Sequence, residues 1–131
     1  MGNSACPFCA RLDDGEAIAS SGSSVAFFDA FPLNPGHALV VPHRHVADLF
    51  DLDQDELADV WRLVADVKAR LARDLSPEGF NVGVNVGSAA GQTVGHAHVH
   101  VIPRHLGDVP DPRGGIRWVI PARAAYWRHS P

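Results

Sequence analysis

Histidines at positions 96, 98 and 100 alternate with Ala97, Val99 and Val101 and run on into Ile102. Period two is the strand repeat, so the three imidazoles share one face and the small and branched apolar residues share the other. Such a strand needs a core against one face only. The turn-forming stretch Gly91-Gln92-Thr93-Val94 leads into it, and a turn of this kind can present backbone N–H groups to an anion. Imidazoles beside an anion cradle point to phosphorus chemistry. A metal is the rival reading. Neighbouring histidines two apart can share an ion. The outer pair, at ~3.3 Å rise per residue, lies about 13 Å apart, too far for a common ion with bonds of about 2 Å. At least one of the three has a separate task.

The chain of 131 residues is long enough for one domain with a buried core. Its net charge of −4 comes without a basic stripe, which argues against broad nucleic-acid affinity. A small phosphorylated ligand needs only a few local groups and stays open. Eight histidines (37, 43, 45, 96, 98, 100, 105 and 129) are the compositional outlier. No apolar run of ~20 residues is present, so no spanning helix is expected. Without a charged-then-apolar leader the chain reads as cytoplasmic. The start Met1-Gly2-Asn3-Ser4-Ala5-Cys6 only brushes the myristoylation pattern, because Cys6 stands where Ser or Thr belongs. Cys6-Pro7-Phe8-Cys9 is either a redox pair or half of a zinc site. The strand feeding a long helix that a thioredoxin-type pair needs is not seen here.

Along the chain, Pro7 suits an early helical position and predicts a short helical turn over residues 8–12. Strands are expected near 16–20 and 24–29, flanking the Ser21-Gly22-Ser23 turn, and a buried strand over 37–41 stopped by Pro42. Asp53 as N-cap with Glu56 three residues on begins a long helix. Its apolar stripe is Leu57, Val60, Trp61, Val64, Val67, Leu71 and Leu75, with Trp61 as a core anchor. Residues 76–79 end it. A strand over 80–86, a turn over 87–93 and the histidine strand to Ile102 follow. This order predicts an α+β domain, one antiparallel sheet with the long helix on one face and the histidines on the other. The Pro- and Gly-rich tail, with Trp118, Tyr126 and Trp127, is expected to lie on a neighbour rather than form its own core.

The segment Gly91-Gln92-Thr93-Val94-Gly95-His96-Ala97-His98-Val99-His100-Val101-Ile102-Pro103 resembles the signature of the histidine triad (HIT) family of nucleotide hydrolases and transferases. Phe27-Phe28-Asp29 through Pro35-Gly36-His37-Ala38-Leu39-Val40-Val41-Pro42 is similar to that family's nucleoside-binding strand and loop, and Asn81 to Asn85 to its penultimate strand. The likeness covers residues 5–105, and residues 106–131 form a tail outside it. Arg104-His105-Leu106-Gly107-Asp108 looks like the dinucleoside polyphosphate hydrolase branch. The resemblance implies a HIT-like fold: about five antiparallel strands with one long and one short helix, the sheets of two protomers joined across a homodimer.

It also implies roles. His98 attacks the α-phosphorus, and His100 and His37 contact non-bridging oxygens. Gly91, Gln92 and Thr93 supply loop amides, and the Thr93 hydroxyl aids the leaving group. Asn85 bonds the phosphate region, Asp29 accepts from the ribose, and Phe8 and Phe27 sandwich or line the base. No catalytic metal is implied. A zinc-bearing subgroup of the family has ligands at positions matching Cys6, Cys9, His45 and His96, with His43 competing with His45. The implied activity is hydrolysis of adenosine-bearing phosphoanhydrides through a nucleotidyl-histidine. A nucleoside phosphoramidase and a zinc-stabilised nucleotide-binding module are the alternatives. Gly95 stands where the family often has a larger residue, which bears on the shape of the base pocket and not on the reaction class.

Overall fold

The long helix α2, Gln54–Leu75, starts where its cap dictates. The Asp53 side chain accepts from the Glu56 amide, and the Glu56 side chain accepts from the Asp53 amide. This reciprocal pair satisfies two of the helix's orphan donors. Arg44 grips Glu56 with two nitrogens, at 2.8 and 3.1 Å. At the other end Ser76 adopts a left-handed conformation and returns its N–H to Ala72, and Pro77 cannot continue the helix.

In this computed structural model, which describes residues 5–128, α2 covers one face of a five-stranded antiparallel sheet. The strands are β1 (Ala19–Ser20), β2 (Ser24–Phe28), β3 (Ala38–Pro42), β4 (Gly79–Val84) and β5 (Val99–Arg104), in the order β1-β2-β3-β5-β4. A seven-residue helix α1, Pro7–Asp13, lies against the opposite face. The lipidation-like residues 1–4 and His129 lie outside the described residues. Among the described residues no helix is long and apolar enough to cross a membrane.

Register sorts the side chains. Facing residues of an antiparallel pair share a face. Ala26, Val40, Val99 and Val84 lie across from one another and turn to α2, where Val60, Leu63, Val64, Val67 and Leu71 meet them. Phe27, Leu39, His100 and Gly83 lie across from one another on the other face, and Val25, Phe27, Leu39 and Val41 pack there against Phe8 of α1.

Trp61 is not a core anchor: it is 40% exposed. Each helical residue turns by about 100°, and the stripe centres on Val60, Leu63, Val64, Val67 and Leu71, which carries Trp61 off the sheet. Leu63, which the stripe omitted, takes its place and is buried. Leu75 lies at the margin of the stripe, partly exposed. Gly36 has φ +87°, and any Cβ there would collide with Leu75 and crowd Leu71 and Pro103. Its bareness lets the loop before His37 press onto the end of α2.

The histidine strand is shorter than its alternation suggests. Regular pairing begins at Val99, not at His96. β3 ends in Pro42, which has no N–H to extend the ladder. Residues 96–98 are held differently: the Ala97 amide donates to the Val46 carbonyl at 2.7 Å. The alternation persists, with Ala97 in the helix-side core.

After β5 the tail folds on itself as a 3₁₀ turn (Gly115–Val119), the short helix α3 (Pro121–Ala124) and a second 3₁₀ turn (Tyr126–Arg128). Arg113 stacks over Trp127 and Arg117 over Tyr126. Ile116, Val119, Ile120 and Tyr126 remain exposed.

Candidate active site

The face opposite α2 carries Asp29, His37, His98 and His100. Hydrogen bonds assign a tautomer to each ring. His98 Nδ1 lies 2.8 Å from the His96 carbonyl oxygen. A carbonyl only accepts, so Nδ1 carries the proton and Nε2 keeps a bare lone pair. His37 is wired the other way. Its Nδ1 accepts from the Leu33 amide at 3.0 Å, so Nε2 carries the proton. That Nε2–H donates to His100 Nδ1 at 2.9 Å, with Asp29 Oδ2 at 3.4 Å from the same nitrogen. His100 therefore accepts at Nδ1 and carries its proton on Nε2. The rings of His98 and His100 are 5.1 Å apart. The start of β5 and the residue before it thus present a bare ring nitrogen beside a ring N–H.

Burial keeps His37 and His100 neutral. Desolvation pushes His100 down to about 4, with His98 and His37 adding to the effect. Desolvation also lowers His37, against the pull of Asp29. A neutral imidazole can donate from one nitrogen only, and the chain Leu33–His37–His100 decides which.

The neighbours leave room on one side. Gly83 lies across from His100, and a Cβ built there meets nothing. Continuing the register past Val84 brings Asn85 level with His98. On the other side Phe8 stands edge-on to His98 at 5.0 Å and tilted against Phe27 at 5.5 Å. A base stacked between two rings needs about 3.5 Å on each side, so Phe8 and Phe27 cannot sandwich one. Both are buried; Phe8 backs the His98 ring and Phe27 backs Phe8, which leaves only lining to a base. Asp29 uses Oδ1 to accept from the Phe31 amide.

The loop before the histidines is wired inward. Gly91 takes a left-handed conformation. The Gln92 amide donates to the Gly87 carbonyl, its side-chain oxygen accepts from the Gly87 amide, and its side-chain nitrogen donates to the Ala47 and Val94 carbonyls. Gln92 therefore holds the loop closed and offers no donor to an oxyanion, which corrects its expected role. Thr93 is exposed on the wall of a hollow it shares with Ala5, Cys6, Pro7, His45, Val94 and Gly95.

Beside that hollow, Cys6, Cys9, His45 and His96 bring four donor atoms within 4.8 Å of one another, a group that can bind a metal ion. Cys6 is the N-cap of α1, and its sulfur accepts from the Cys9 amide. His96 Nδ1 lies 3.5 Å from each sulfur and 3.2 Å from His45 Nδ1, and Cys9 Sγ lies 3.4 Å from His45 Nδ1. The other His96 nitrogen donates to the Pro42 carbonyl at 2.8 Å, which frees Nδ1 for the cluster. His43 is exposed and outside the group. Asp29, His37 and His100 form a second trio by distance. There the proton on His37 Nε2 occupies the nitrogen that an ion would need.

The family resemblance implies that a backbone carbonyl holds the His98 tautomer, but sequence reasoning did not identify it as that of His96 and missed the Leu33 amide and the Pro42 carbonyl. Backbone atoms leave no signature in residue type. It also missed the clip in which Arg104 grips Asp108 with two nitrogens while Asn34 donates to Asp108 and to the Pro103 carbonyl. That clip ties the loop before His37 to the end of β5.

The HIT domain family model matches residues 13–107. The chain belongs to the HIT family. AP-4-A phosphorylase of Mycobacterium tuberculosis is 40% identical over 98 residues, covering 73% of this chain and 50% of that protein. Adenosine 5'-monophosphoramidase of Schizosaccharomyces pombe is 37% identical over 103 residues, covering 76% and 74%. Among solved structures, a HIT family protein from Bacillus anthracis superposes with a TM-score of 0.75 at 31% identity, covering 82% of this chain and 78% of that one. The five-stranded antiparallel sheet and its helices are thus those of the HIT fold.

Proposed function

We propose that the protein hydrolyses adenosine-bearing phosphoanhydrides of the dinucleoside polyphosphate type through a nucleotidyl-histidine. The observation that carries this is the pair of opposite tautomers on neighbouring same-face residues, His98 and His100. In the tautomer set by the His96 carbonyl, the bare Nε2 of His98 offers its lone pair as the nucleophile. It attacks the α-phosphorus, the N–P bond forms, and the P–O bond to the leaving nucleotide breaks. The Nε2–H of His100, backed by His37, donates to a non-bridging oxygen as charge gathers there. Water then attacks the same phosphorus, its oxygen forms the new bond, the N–P bond breaks, and a mononucleotide leaves. Asn85 bonds the phosphate region, Asp29 takes the ribose hydroxyls, Phe8 and Phe27 line the base side, and Gly91 and Thr93 shape the loop. The Thr93 hydroxyl is assigned to the leaving group. A homologue named as an AP-4-A phosphorylase supports this reaction class.

A second reading changes only the leaving group: cleavage of a P–N bond to an amine. It is favoured by the phosphoramidase relative, three-quarters of whose length this chain matches. Parallel assays on a diadenosine polyphosphate and an adenosine phosphoramidate separate the two by kcat/KM. His98→Asn abolishes turnover of both and keeps nucleotide binding; full activity in that variant sinks both. If wild-type protein turns over neither substrate, the chain is a binding module.

Cys6, Cys9, His45 and His96 are read as ligands of a structural zinc. Bonds of about 2.3 Å to sulfur and 2.0–2.1 Å to nitrogen give a tetrahedron S···N edges near ~3.5 Å and N···N edges near ~3.3 Å. His96 Nδ1 to each sulfur and Cys9 Sγ to His45 Nδ1 are 3.4–3.5 Å, and the two ring nitrogens are 3.2 Å apart. When bound, the ion supplies cross-linking rather than reaction chemistry, since a Cys₂His₂ set leaves no open position. Cysteines kept reduced to hold a metal suit a cytoplasmic setting. The chain is further read as half of a homodimer, supported by the edge position of β4, the exposed Val82 on it and the uncovered apolar residues of the tail. A monomer by light scattering counts against that reading.

A further inference from the structure

His96 sits at a crossing. Its ring reaches the Cys₂His₂ group through Nδ1 and the Pro42 carbonyl through Nε2, and its own carbonyl is the acceptor that fixes His98. Regular strand pairing begins only at Val99. Between the loop and that point the Ala97 amide makes a backbone hydrogen bond, to Val46. The acceptor behind the His98 ring is therefore placed in large part by the ring of the preceding histidine.

The aromatic wall beside His98 has the same dependence. Phe8 lies between Cys6 and Cys9 in the chain and touches the His98 ring edge-on at 5.0 Å and the His96 ring at 6.1 Å. It belongs to a helix of seven residues. So short a helix does not hold itself together in water. Its N-terminal turn is closed by Cys6 Sγ, and both cysteines lead into the cluster. The carbonyl that sets the His98 tautomer and the ring that limits its rotation thus hang from the same four residues.

We propose that Cys6, Cys9 and His45 are positioning residues for the nucleophile, acting through His96 and Phe8: a metal held by the cluster keeps His98 in the Nδ1–H form with Nε2 turned to the phosphate. This rests on the metal reading given above and goes beyond a staple for the fold. A staple protects all parts of the domain alike. A positioning centre governs one ring. Losing it costs rate in molecules that are still folded, and the ring shows why.

The test uses the full chain, with metal content measured as purified and after chelation and reloading with zinc. His98 is read by long-range ¹⁵N–¹H correlation at neutral pH, which distinguishes the two neutral tautomers. Turnover is normalised to folded protein by near-ultraviolet circular dichroism. Zinc-loaded protein is expected to show His98 protonated at Nδ1 alone. Chelated protein and His45→Ala are expected to show both tautomers and a 10–100-fold lower kcat, the range seen when groups that orient a site are removed, with KM changed less than threefold. His45→Cys, which keeps a ligand, is expected to recover most of that loss. Phe8→Leu retains all four ligands and keeps the chain testable if His45→Ala does not fold. It is expected to hold zinc, broaden the His98 signals and lower kcat several-fold. A folded, zinc-free protein with His98 still protonated at Nδ1 and undiminished kcat overturns the proposal, as does Phe8→Leu with an unchanged His98 spectrum and rate. Protein that never takes up zinc yet turns over normally overturns the metal reading instead.

Discussion

Asp59 projects from α2 into the turn between β1 and β2. One carboxylate oxygen accepts from the Ser21 hydroxyl at 2.7 Å, the Ser23 amide at 2.9 Å and the Ser23 hydroxyl at 3.1 Å; the other lies 3.3 Å from Arg62. Burial alone would raise this acid. The Ser23 amide and the hydroxyls of Ser21 and Ser23 overcome that and hold it at about 2. Asp59→Ala removes the shared acceptor. A hydrogen bond to a charged group contributes about 1.5–3 kcal/mol, and the bonds at one oxygen do not add. The hydroxyls can turn to water in the shallow depression lined by Gly22, Ser23 and Arg62, whereas the amide direction is fixed. The expected loss is about 2 kcal/mol, read by urea denaturation at pH 7. The sign with pH follows from the lowered acid. Its stabilisation is complete above the unfolded value of 3.8 and disappears as pH falls through about 2. The gap between wild type and variant therefore narrows from pH 5 downward. A difference under about 0.5 kcal/mol at pH 7, or one that widens on acidification, refutes the reasoning.

His100→Asn is expected to lower kcat by about 10²–10³ while nucleotide binding persists, as separate measurements of kcat and KM report. Because the His100 ring is held down to about 4, the unfolded chain takes up its proton first as pH drops from 6.5. Wild-type stability then falls over that window more steeply than that of His100→Asn, as denaturation at pH 7, 5.5 and 4.5 measures. Gly36→Ala meets both a left-handed backbone and the side chains of Leu75 and Leu71. It is expected to destabilise by about 1–3 kcal/mol and to raise KM through the displaced His37 loop; thermal unfolding and steady-state kinetics check it. Gln92→Ala should act through loop order, lowering kcat in step with increased protease sensitivity around residues 87–94.

Parts of the fold that depend on side-chain type were legible in the chain. Asp53 and Glu56 announce the start of α2, and Pro42 announces the end of β3. The alternation around Val99 predicts which residues face the helix, because strand parity survives even where pairing stops. Parts that depend on rotation or on backbone partners were not legible. Trp61 and Leu63 both fit a loose helical stripe, and only the crossing of α2 over the sheet selects Leu63. Asp59 had a readable signal, a carboxylate on the apolar face between Glu56 and Leu63, but nothing in the sequence indicates the serines that meet it. The group that could hold a metal was half legible in Cys6, Cys9 and the excess of histidine, and its two histidines came from the family resemblance. The selection of His45 over His43 needed the geometry of the loop after β3. The tautomers of His37, His98 and His100 depend on a carbonyl and an amide that every residue possesses.

Those tautomers have a consequence for how such a site is built. Acid–base pairs are commonly tuned by giving two groups different proton affinities, which ties function to a narrow acidity range. Here two copies of one side chain on adjacent same-face positions receive opposite tautomers from what stands behind each ring: a carbonyl behind His98, another imidazole behind His100. Division of labour by wiring needs no difference in affinity and no net charge. A designer wishing to copy it would specify one acceptor and one donor in the scaffold before choosing a single catalytic residue.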